Sequence, residues 1–364
     1  MSNLDNLLLV TAGFIAGILN VICFVLSFIY ARRRNNRLVY LFSANWLFQS
    51  MFWFLDAIAH FFYSPLLMAI AFIPQMIGVP CLFIFIDLIK KERVSSTRMS
   101  FTLLYEITLI ILSFLPGGMQ VIPGYGVHMV GYLRILQVFF IFYYVLTYFS
   151  WSYLTWKRAP QELKALVNFL LFGSILFSFI TTFMYVIGGF IKIFNAISFV
   201  THSLGALLTI IAIWKDPKII YILPFKAYRI LVVDTNAGTG LFKYDWAELR
   251  AVDENIFSMV LQAIGSILNE VLKKGEIREI KMDQAILLIQ HEKNTPVASV
   301  LVTSKSSKSL IYGLKKFNSE FIATFQSQFD GLYEISRFKE AKKIVEHIFD
   351  FVPEYKSDLY SNSN

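Results

Sequence analysis

The hydrophobic positions of this chain form seven long apolar runs within the first 214 residues. A helix needs roughly 17–25 mainly apolar residues to cross the hydrocarbon layer of a membrane. The runs therefore predict seven transmembrane helices, at residues 7–30, 38–60, 66–89, 99–115, 130–154, 165–187 and 191–214. The expected architecture of residues 1–214 is an all-α bundle embedded in a lipid bilayer.

Polar residues recur at helical spacing within three of these runs. Because lipid offers no hydrogen-bond partners, such stripes are expected to face neighbouring helices or an internal cavity. Close packing of small residues and a ligand cavity both remain open as explanations. The stripes are Asn45, Gln49, Asp56 and His60 in the second span, Ser174, Ser178, Thr181 and Tyr185 in the sixth, and Asn195, Ser198, His202, Gly205 and Thr209 in the seventh.

Ionisable side chains inside the spans are the sharpest functional candidates, because a charge in hydrocarbon is unfavourable unless it is paired or hydrated. Asp56 is predicted near the outer end of its helix, within reach of His60, Arg134 or Lys192 as a partner. A structural ion pair or a packing hydrogen bond is the alternative role for such residues. The candidate ligand-binding residues are Asp56, His60, Glu106, Arg134 and His202.

The connection at residues 116–129 is rich in turn-forming residues and is apolar for a segment that faces water. Two interpretations remain open, a plain connector and a lid that folds back over the bundle.

Basic residues cluster in alternate connections, at residues 32–37, 90–98 and 157–164, whereas only Arg134 and Lys192 are expected near the opposite face. Cytoplasmic loops of membrane proteins carry the excess of Lys and Arg. The pattern predicts a multi-pass protein of the cell membrane, with its N-terminus outside and its C-terminal region in the cytoplasm.

The formal net charge of +8 comes almost entirely from the membrane part. Residues 1–214 carry 13 basic and 6 acidic side chains, and residues 215–364 carry 20 and 19. Because the soluble part is nearly neutral, no nucleic-acid partner is expected.

From residue 228 onward the pattern is that of a water-soluble α+β domain. A hairpin is predicted at 229–244, an amphipathic helix at 253–274 and strands at 277–282, 284–291 and 296–303. One helix is predicted to begin at Ser306, and a second includes residues 338–348. The predicted organisation is a transmembrane domain at 1–214, a juxtamembrane linker at 215–227, the α+β domain at 228–352 and a disordered tail at 353–364.

The element order β-β-α-β-β-β-α-α, carried by the hairpin at 229–244 and the helix at 253–274, resembles that of the longin domain, a profilin-like module. The resemblance implies a five-stranded antiparallel sheet with the first long helix on one face and the C-terminal helices on the other. It also implies a cytosolic protein partner, such as a small GTPase or another longin or roadblock domain, and no catalytic role.

Catalytic motifs are missing from the sequence. It has no Cys/His metal spacing, no nucleophile elbow and no zinc-binding His-Glu-x-x-His motif, and neither His291 nor His347 has the setting of a phosphorelay histidine. We therefore expect no enzymatic activity, no metal and no cofactor.

The layout of residues 1–214 ahead of a cytoplasmic domain resembles the seven-helix sensory regions of microbial receptors, including the N-terminal region of certain histidine kinases. The expected function is that of a receptor, sensor or membrane recruitment platform, which takes a small-molecule or lipid ligand from the outer side. The alternative is a seven-helix solute carrier with a regulatory cytoplasmic domain, which the polar stripes and Glu106 favour.

Overall fold

The computed structural model describes residues 2–34, 37–122, 126–191, 193–234, 239–247, 279–283, 285–292, 295, 297–329 and 335–355. The chain divides into two compact units. The first comprises Met1–Ala159 and Leu163–Asp216, and the second comprises Pro160–Glu162 and Pro217–Asn364.

The first unit contains seven helices that are long and apolar enough to cross a membrane, which confirms the seven predicted helical runs. Each begins and ends within a few residues of its predicted bounds. The side on which each terminus lies stays a prediction. The helices are α1 Ser2–Arg34, α2 Arg37–Phe61, α3 Pro65–Lys91, α4 Ser96–Phe114, α5 Gly131–Arg158, α6 Gln161–Gly188 and α7 Ile193–Lys215.

Helix α6 contains one π-helical segment, Leu176–Ile180. The Thr181 amide donates to the Leu176 carbonyl five residues earlier, and the Thr181 hydroxyl also donates to that carbonyl at 2.8 Å. Short π-helical segments are rare and occur frequently at functional sites.

Helices α6 and α7 approach each other closely at two glycines. A Cβ atom at Gly205 would lie 2.5 Å from both the Gly173 carbonyl oxygen and the Phe177 amide nitrogen. Such small residues let membrane helices pack backbone to backbone.

Six large aromatic side chains fill the centre of the bundle, and each is less than 2% exposed. Their rings pack in contact with one another, with centroids 4.6 Å apart for the stacked pair Phe42 and Phe85 and 4.4 Å apart for the tilted pair Tyr148 and Phe177. We call this group the aromatic core; it consists of Phe42, Trp46, Phe85, Tyr148, Trp151 and Phe177.

The connection between α4 and α5 folds into an antiparallel hairpin of β1 Met119–Ile122 and β2 Gly126–Met129. Gly126 has a φ of +93°, a conformation that side-chain-bearing residues rarely adopt. The hairpin lies beside the end of α2, since a Cβ atom at Gly126 would collide with His60 Nδ1.

In the described part of the second unit, five strands form one antiparallel sheet. Two helices follow, α8 Lys308–Phe325 and α9 Ala341–Ile348. The helix predicted at 253–274 lies outside the described residues. The strands are β3 Ala227–Asp234, β4 Gly240–Asp245, β5 Glu279–Lys281, β6 Ile286–His291 and β7 Val297–Thr303. Their order across the sheet is β4-β3-β7-β6-β5.

The core of the second unit lies between one face of this sheet and the helices α8 and α9. Strand β7 is buried along its whole length, as expected for a central strand with both faces covered. The buried Ser299 hydroxyl on β7 donates to Asn318 Oδ1 on α8 at 2.8 Å. This bond joins the sheet to the helix within an otherwise apolar interface.

Residues near 221–225 and near 351–355 are packed onto the second unit. Tyr221 and Phe225, from the segment predicted as a linker, contact the Phe351 ring. The Tyr355 amide donates to the Trp246 carbonyl at 2.6 Å. The described structure therefore extends past residue 352, the predicted end of the domain.

Candidate functional site

A cavity of about 320 Å³ lies within the first unit. Its walls come from α1, α2, α3, α5, α6 and α7, and the hairpin contributes Ile122, Val127, His128 and Met129. This volume is at the small end of the usual range for ligand pockets, roughly 300–1,000 Å³. The polar lining residues include Gln49, Asp56, His60, Gln75, His128, Arg134, Gln137, Tyr144, Thr181, Tyr185, Asn195, Ser198 and His202.

Four of the five candidate residues line this one cavity, namely Asp56, His60, Arg134 and His202. Helix geometry explains the grouping on α2, because Gln49, Asp56 and His60 are separated by whole turns and so share a face. The same face spans roughly 16 Å along the helix axis from Gln49 to His60. The polar stripes of the second, sixth and seventh spans therefore contribute side chains to the cavity wall.

Asp56 and His60 are buried near the hairpin end of α2, with 5% and 4% of their surface exposed. Asp56 Oδ2 lies 4.0 Å from His60 Nε2, which is too long for a hydrogen bond. Within the described residues, neither Asp56 Oδ2 nor His60 Nδ1 has a hydrogen-bond partner. Buried polar atoms usually have one, so Asp56 Oδ2 is suited to contact a ligand, whereas His60 Nδ1 lies against Gly126 of the hairpin.

His202 lies at the inner end of the cavity, between two aromatic rings. Its ring centroid is 5.5 Å from that of Trp53 and 4.2 Å from that of Phe177. Phe177 belongs to the aromatic core, which therefore lies directly behind His202. Because Trp46 and Trp151 continue that packing toward the opposite ends of α2 and α5, the bundle is filled beyond His202.

Arg134 lies in the first turn of α5, on the cavity wall. A Cβ atom at Gly189 would collide with Arg134 Nη2, so this glycine leaves the space beside the guanidinium. In the part of the chain that the structure describes, the Arg134 side chain makes no hydrogen bond or ion pair.

Gln137 was not among the candidates, although it lines the cavity one turn deeper than Arg134. Its side chain is 3% exposed, and Gln137 Oε1 has no hydrogen-bond partner among the described residues. Arg134, Gln137 and Tyr144 recur at helical spacing, so the periodicity of the sequence was sufficient to identify Gln137 as a candidate.

Glu106 does not line the cavity. It is 3% exposed on α4, near the Cys81 thiol of α3, and neither carboxyl oxygen has a hydrogen-bond partner within the described residues. The structure thus separates Glu106 from the other four candidates.

No group of three His, Cys, Asp or Glu side chains in the described residues is arranged to hold a metal ion.

No protein-family model matches this chain, and neither a curated protein nor a solved structure matches it. The fold itself defines the class as a multi-pass membrane protein with seven apolar helices, followed by a C-terminal region built on an antiparallel sheet.

Proposed function

We propose that this protein is a membrane receptor that binds a small ligand in the cavity beneath the hairpin and presents its C-terminal domain to a cytosolic protein. The observation that carries the proposal is the cavity itself, where Asp56, His60, Gln137 and His202 place buried polar atoms without hydrogen-bond partners among the described residues. Unpaired buried polar atoms are unfavourable, so a ligand that pairs with them gains affinity.

A receptor fits this cavity better than a carrier does, because the aromatic core fills the bundle behind His202. A carrier must open a route on that side and would have to separate the packed rings of Trp46, Tyr148, Trp151 and Phe177. In a receptor the same packing has a direct use, since a ligand against His202 contacts a side chain that touches Phe177.

The proposed output is protein binding by the second unit. The strand order β4-β3-β7-β6-β5 and the two C-terminal helices on one face support the longin-like interpretation. That interpretation places the helix predicted at 253–274 on the opposite face, where Leu231, Leu287, Val300 and Val302 form a second apolar cluster. The proposed partner is a small GTPase or another longin or roadblock domain.

The first experiment measures what the cavity binds. Full-length protein and a Ser198→Trp variant, whose indole fills the cavity, are purified under matched conditions, and co-purified small molecules are identified by mass spectrometry. We expect a compound that accompanies the wild type at close to one per chain and is lost from the variant. Equal small-molecule content in the two preparations would contradict a ligand site in this cavity.

The second experiment separates a receptor from the carrier alternative, which Glu106 supports as a buried acid outside the cavity. Protein reconstituted in liposomes is supplied with the compound found in the first experiment. A receptor gives saturable binding and no accumulation in the lumen. Accumulation beyond one molecule per chain that disappears in Glu106→Gln would replace the receptor by the carrier.

The third experiment tests the output. Full-length protein in lipid nanodiscs is incubated with cytosol that contains either GDP or a non-hydrolysable GTP analogue. We expect a defined cytosolic protein to be retained by nanodiscs that contain the protein and not by empty nanodiscs. If this partner is a GTPase, its retention should depend on which nucleotide is present. Retention of no protein in either nucleotide state would remove the output half of the proposal.

A further inference from the structure

Two side chains of opposite charge line the cavity, the buried Asp56 and the exposed Arg134, and neither has a hydrogen-bond partner in the described part of the chain. We propose that the ligand is a small zwitterion, an amino acid or amino-acid-like molecule whose ammonium group contacts Asp56 and whose carboxylate contacts Arg134. The inference rests on the proposed receptor function, since it names the ligand class of the same cavity.

Asp56 favours an ammonium group as its ligand. Its carboxyl is 5% exposed, and the nearest ionisable partner in the described residues is His60 at 4.0 Å. A buried carboxylate requires a close cation and N–H donors to offset the loss of water. Gln137 Oε1, buried and also without a partner within the described residues, is a second acceptor on the wall. An ammonium group has three N–H donors, so it can donate to both the Asp56 carboxylate and Gln137 Oε1.

Aromatic rings next to Asp56 suit the same group. Trp53 lies three residues before Asp56 on α2, and its ring centroid is 4.6 Å from that of Phe199, which also lines the cavity. Ring faces attract a nearby cation, most strongly when water is excluded. The wall around the carboxylate is thus apolar and cation-attracting at once.

The case for a carboxylate rests on Arg134. Arg134 is exposed, and its guanidinium lies beside Gly189 and makes no ion pair within the described residues. A guanidinium presents two parallel N–H groups that match the two oxygens of a carboxylate.

Charge balance selects a zwitterion over a simple ion. Aside from its histidines, the described lining holds one acid and one base, Asp56 and Arg134. A ligand with only an ammonium group would place a cation in a cavity that already holds the Arg134 charge. A ligand with only a carboxylate would leave Asp56 without a cation, so a molecule that carries both groups complements the site best.

The cavity volume of about 320 Å³ sets the size. It suits a single amino acid with a large side chain, and the apolar wall of Phe52, Ile141 and Val145 suits an aromatic or aliphatic body.

The test uses matched sets of probes on full-length protein in nanodiscs. The probes are phenylalanine, leucine and tryptophan, and for each the amine that lacks the carboxyl group and the acid that lacks the amino group. Calorimetry and thermal stabilisation report binding. We expect at least one amino acid to bind about tenfold or more tightly than both of its truncated analogues, the usual scale for one lost charge-assisted hydrogen bond.

Two variants assign the ends of the ligand. Asp56→Asn should abolish the preference for the amino acid over its acid analogue, and Arg134→Gln should abolish the preference over its amine analogue. Glu106→Gln is the control, because it removes a buried acid outside the cavity and should leave both preferences unchanged. Melting curves establish that each variant is folded. The comparison of probes on the wild type does not depend on the variants.

The outcomes distinguish this inference from the proposed function. Equal affinity for an amino acid and its amine or acid analogue would overturn the zwitterion, as would binding of none of the probes. If a neutral compound nevertheless co-purifies with the wild type and is lost from Ser198→Trp, the receptor proposal stands and only the ligand class is wrong. If no compound depends on the cavity in either experiment, both are wrong.

Discussion

At the residue scale, Gly126 controls how the hairpin meets the bundle. Its φ of +93° disfavours any side chain, and an added Cβ atom would collide with His60 Nδ1 and lie 2.8 Å from Asn6 Oδ1. Gly117 has a similar φ of +84° but open space around it. A comparison of alanine substitutions at the two glycines therefore separates the free-energy cost of the backbone conformation from that of the contact with His60.

We predict that Gly126→Ala destabilises the protein more than Gly117→Ala does. Both variants lose about 1–2 kcal/mol from the positive φ, and Gly126→Ala loses about 1–3 kcal/mol more from overpacking against His60. Unfolding in nanodiscs checks the difference, and ligand binding should weaken only in Gly126→Ala. Equal losses in the two variants would show that the hairpin does not press on His60.

In the second unit, Tyr244 gives a pH-dependent prediction. Its hydroxyl donates to Glu354 Oε1 at 3.1 Å. Burial, followed by the charge of Glu354, raises the pKa of Tyr244 above its ordinary value. Because the folded state holds this proton more tightly than the unfolded state does, its stabilising effect is complete below about pH 10 and decreases as the pH rises further.

Tyr244→Phe should therefore flatten the loss of unfolding free energy above about pH 10, because the group that titrates is gone. Tyr312→Phe is the matched control, since Tyr312 is 72% exposed on α8. Denaturant unfolding followed at several alkaline pH values gives the comparison. Parallel slopes in the wild type and Tyr244→Phe would contradict the predicted role.

The ionisable candidates show what sequence could and could not predict at this scale. A charged residue in an apolar span requires a polar environment, and this local fact identified Asp56, Arg134 and His202. It could not distinguish Glu106, which carries the same signal on a helix that does not reach the cavity. Which helix faces which depends on packing between distant segments, and a single span does not encode that.

At the element scale, the close approach of α6 and α7 depends on glycine at both contact positions. We predict that Gly205→Ala destabilises the bundle by about 1–3 kcal/mol, because the new methyl group meets backbone atoms that cannot rotate away. Gly17→Ala is the control, since the atoms nearest to its Cβ atom would belong to the Phe54 ring, at 2.8 Å, and a side chain can move more easily than backbone. Thermal unfolding of the two variants in nanodiscs measures the difference in stability. A larger loss of stability in Gly17→Ala than in Gly205→Ala would contradict the prediction.

The buried bond between Ser299 and Asn318 links β7 to α8. We predict that Asn318→Ala costs about 1–3 kcal/mol, in part because it leaves the Ser299 hydroxyl buried without its acceptor. The double variant Ser299→Ala/Asn318→Ala should lose less than the sum of the single variants, by about 1 kcal/mol. Denaturant unfolding supplies all four values of the cycle. Additive losses would mean that the two side chains contribute independently.

Element prediction succeeded where the pattern is local. Hydropathy found all seven helices because each span is a continuous apolar segment, and alternation found the strands that the structure describes in the second unit. The connection at 116–129 could be predicted only as a connector or a lid, because its apolar residues gain a partner only when the bundle assembles. The π-helical segment was not predicted, since the composition of Leu176–Ile180 is ordinary for a membrane helix.

At the scale of the whole molecule, seven crossings would place the two termini on opposite sides of the membrane. The basic clusters at residues 32–37, 90–98 and 157–164 predict that the N-terminus is outside. An epitope tag at the N-terminus should bind antibody on intact cells, whereas a C-terminal tag should require permeabilised cells. Detection of both tags on the same side would contradict seven crossings, and detection in the reverse order would contradict the orientation.

The π-helical segment of α6 acts as a one-residue insertion in the middle of a membrane helix. If the same residues wound as an ordinary α-helix, without the π-helical turn, everything that follows would be turned by about 100°. Thr181, Thr182 and Tyr185 would then rotate away from the cavity and expose hydroxyl groups to lipid. The wall of the cavity is thus set by a phase shift in the backbone, and not by those three side chains alone.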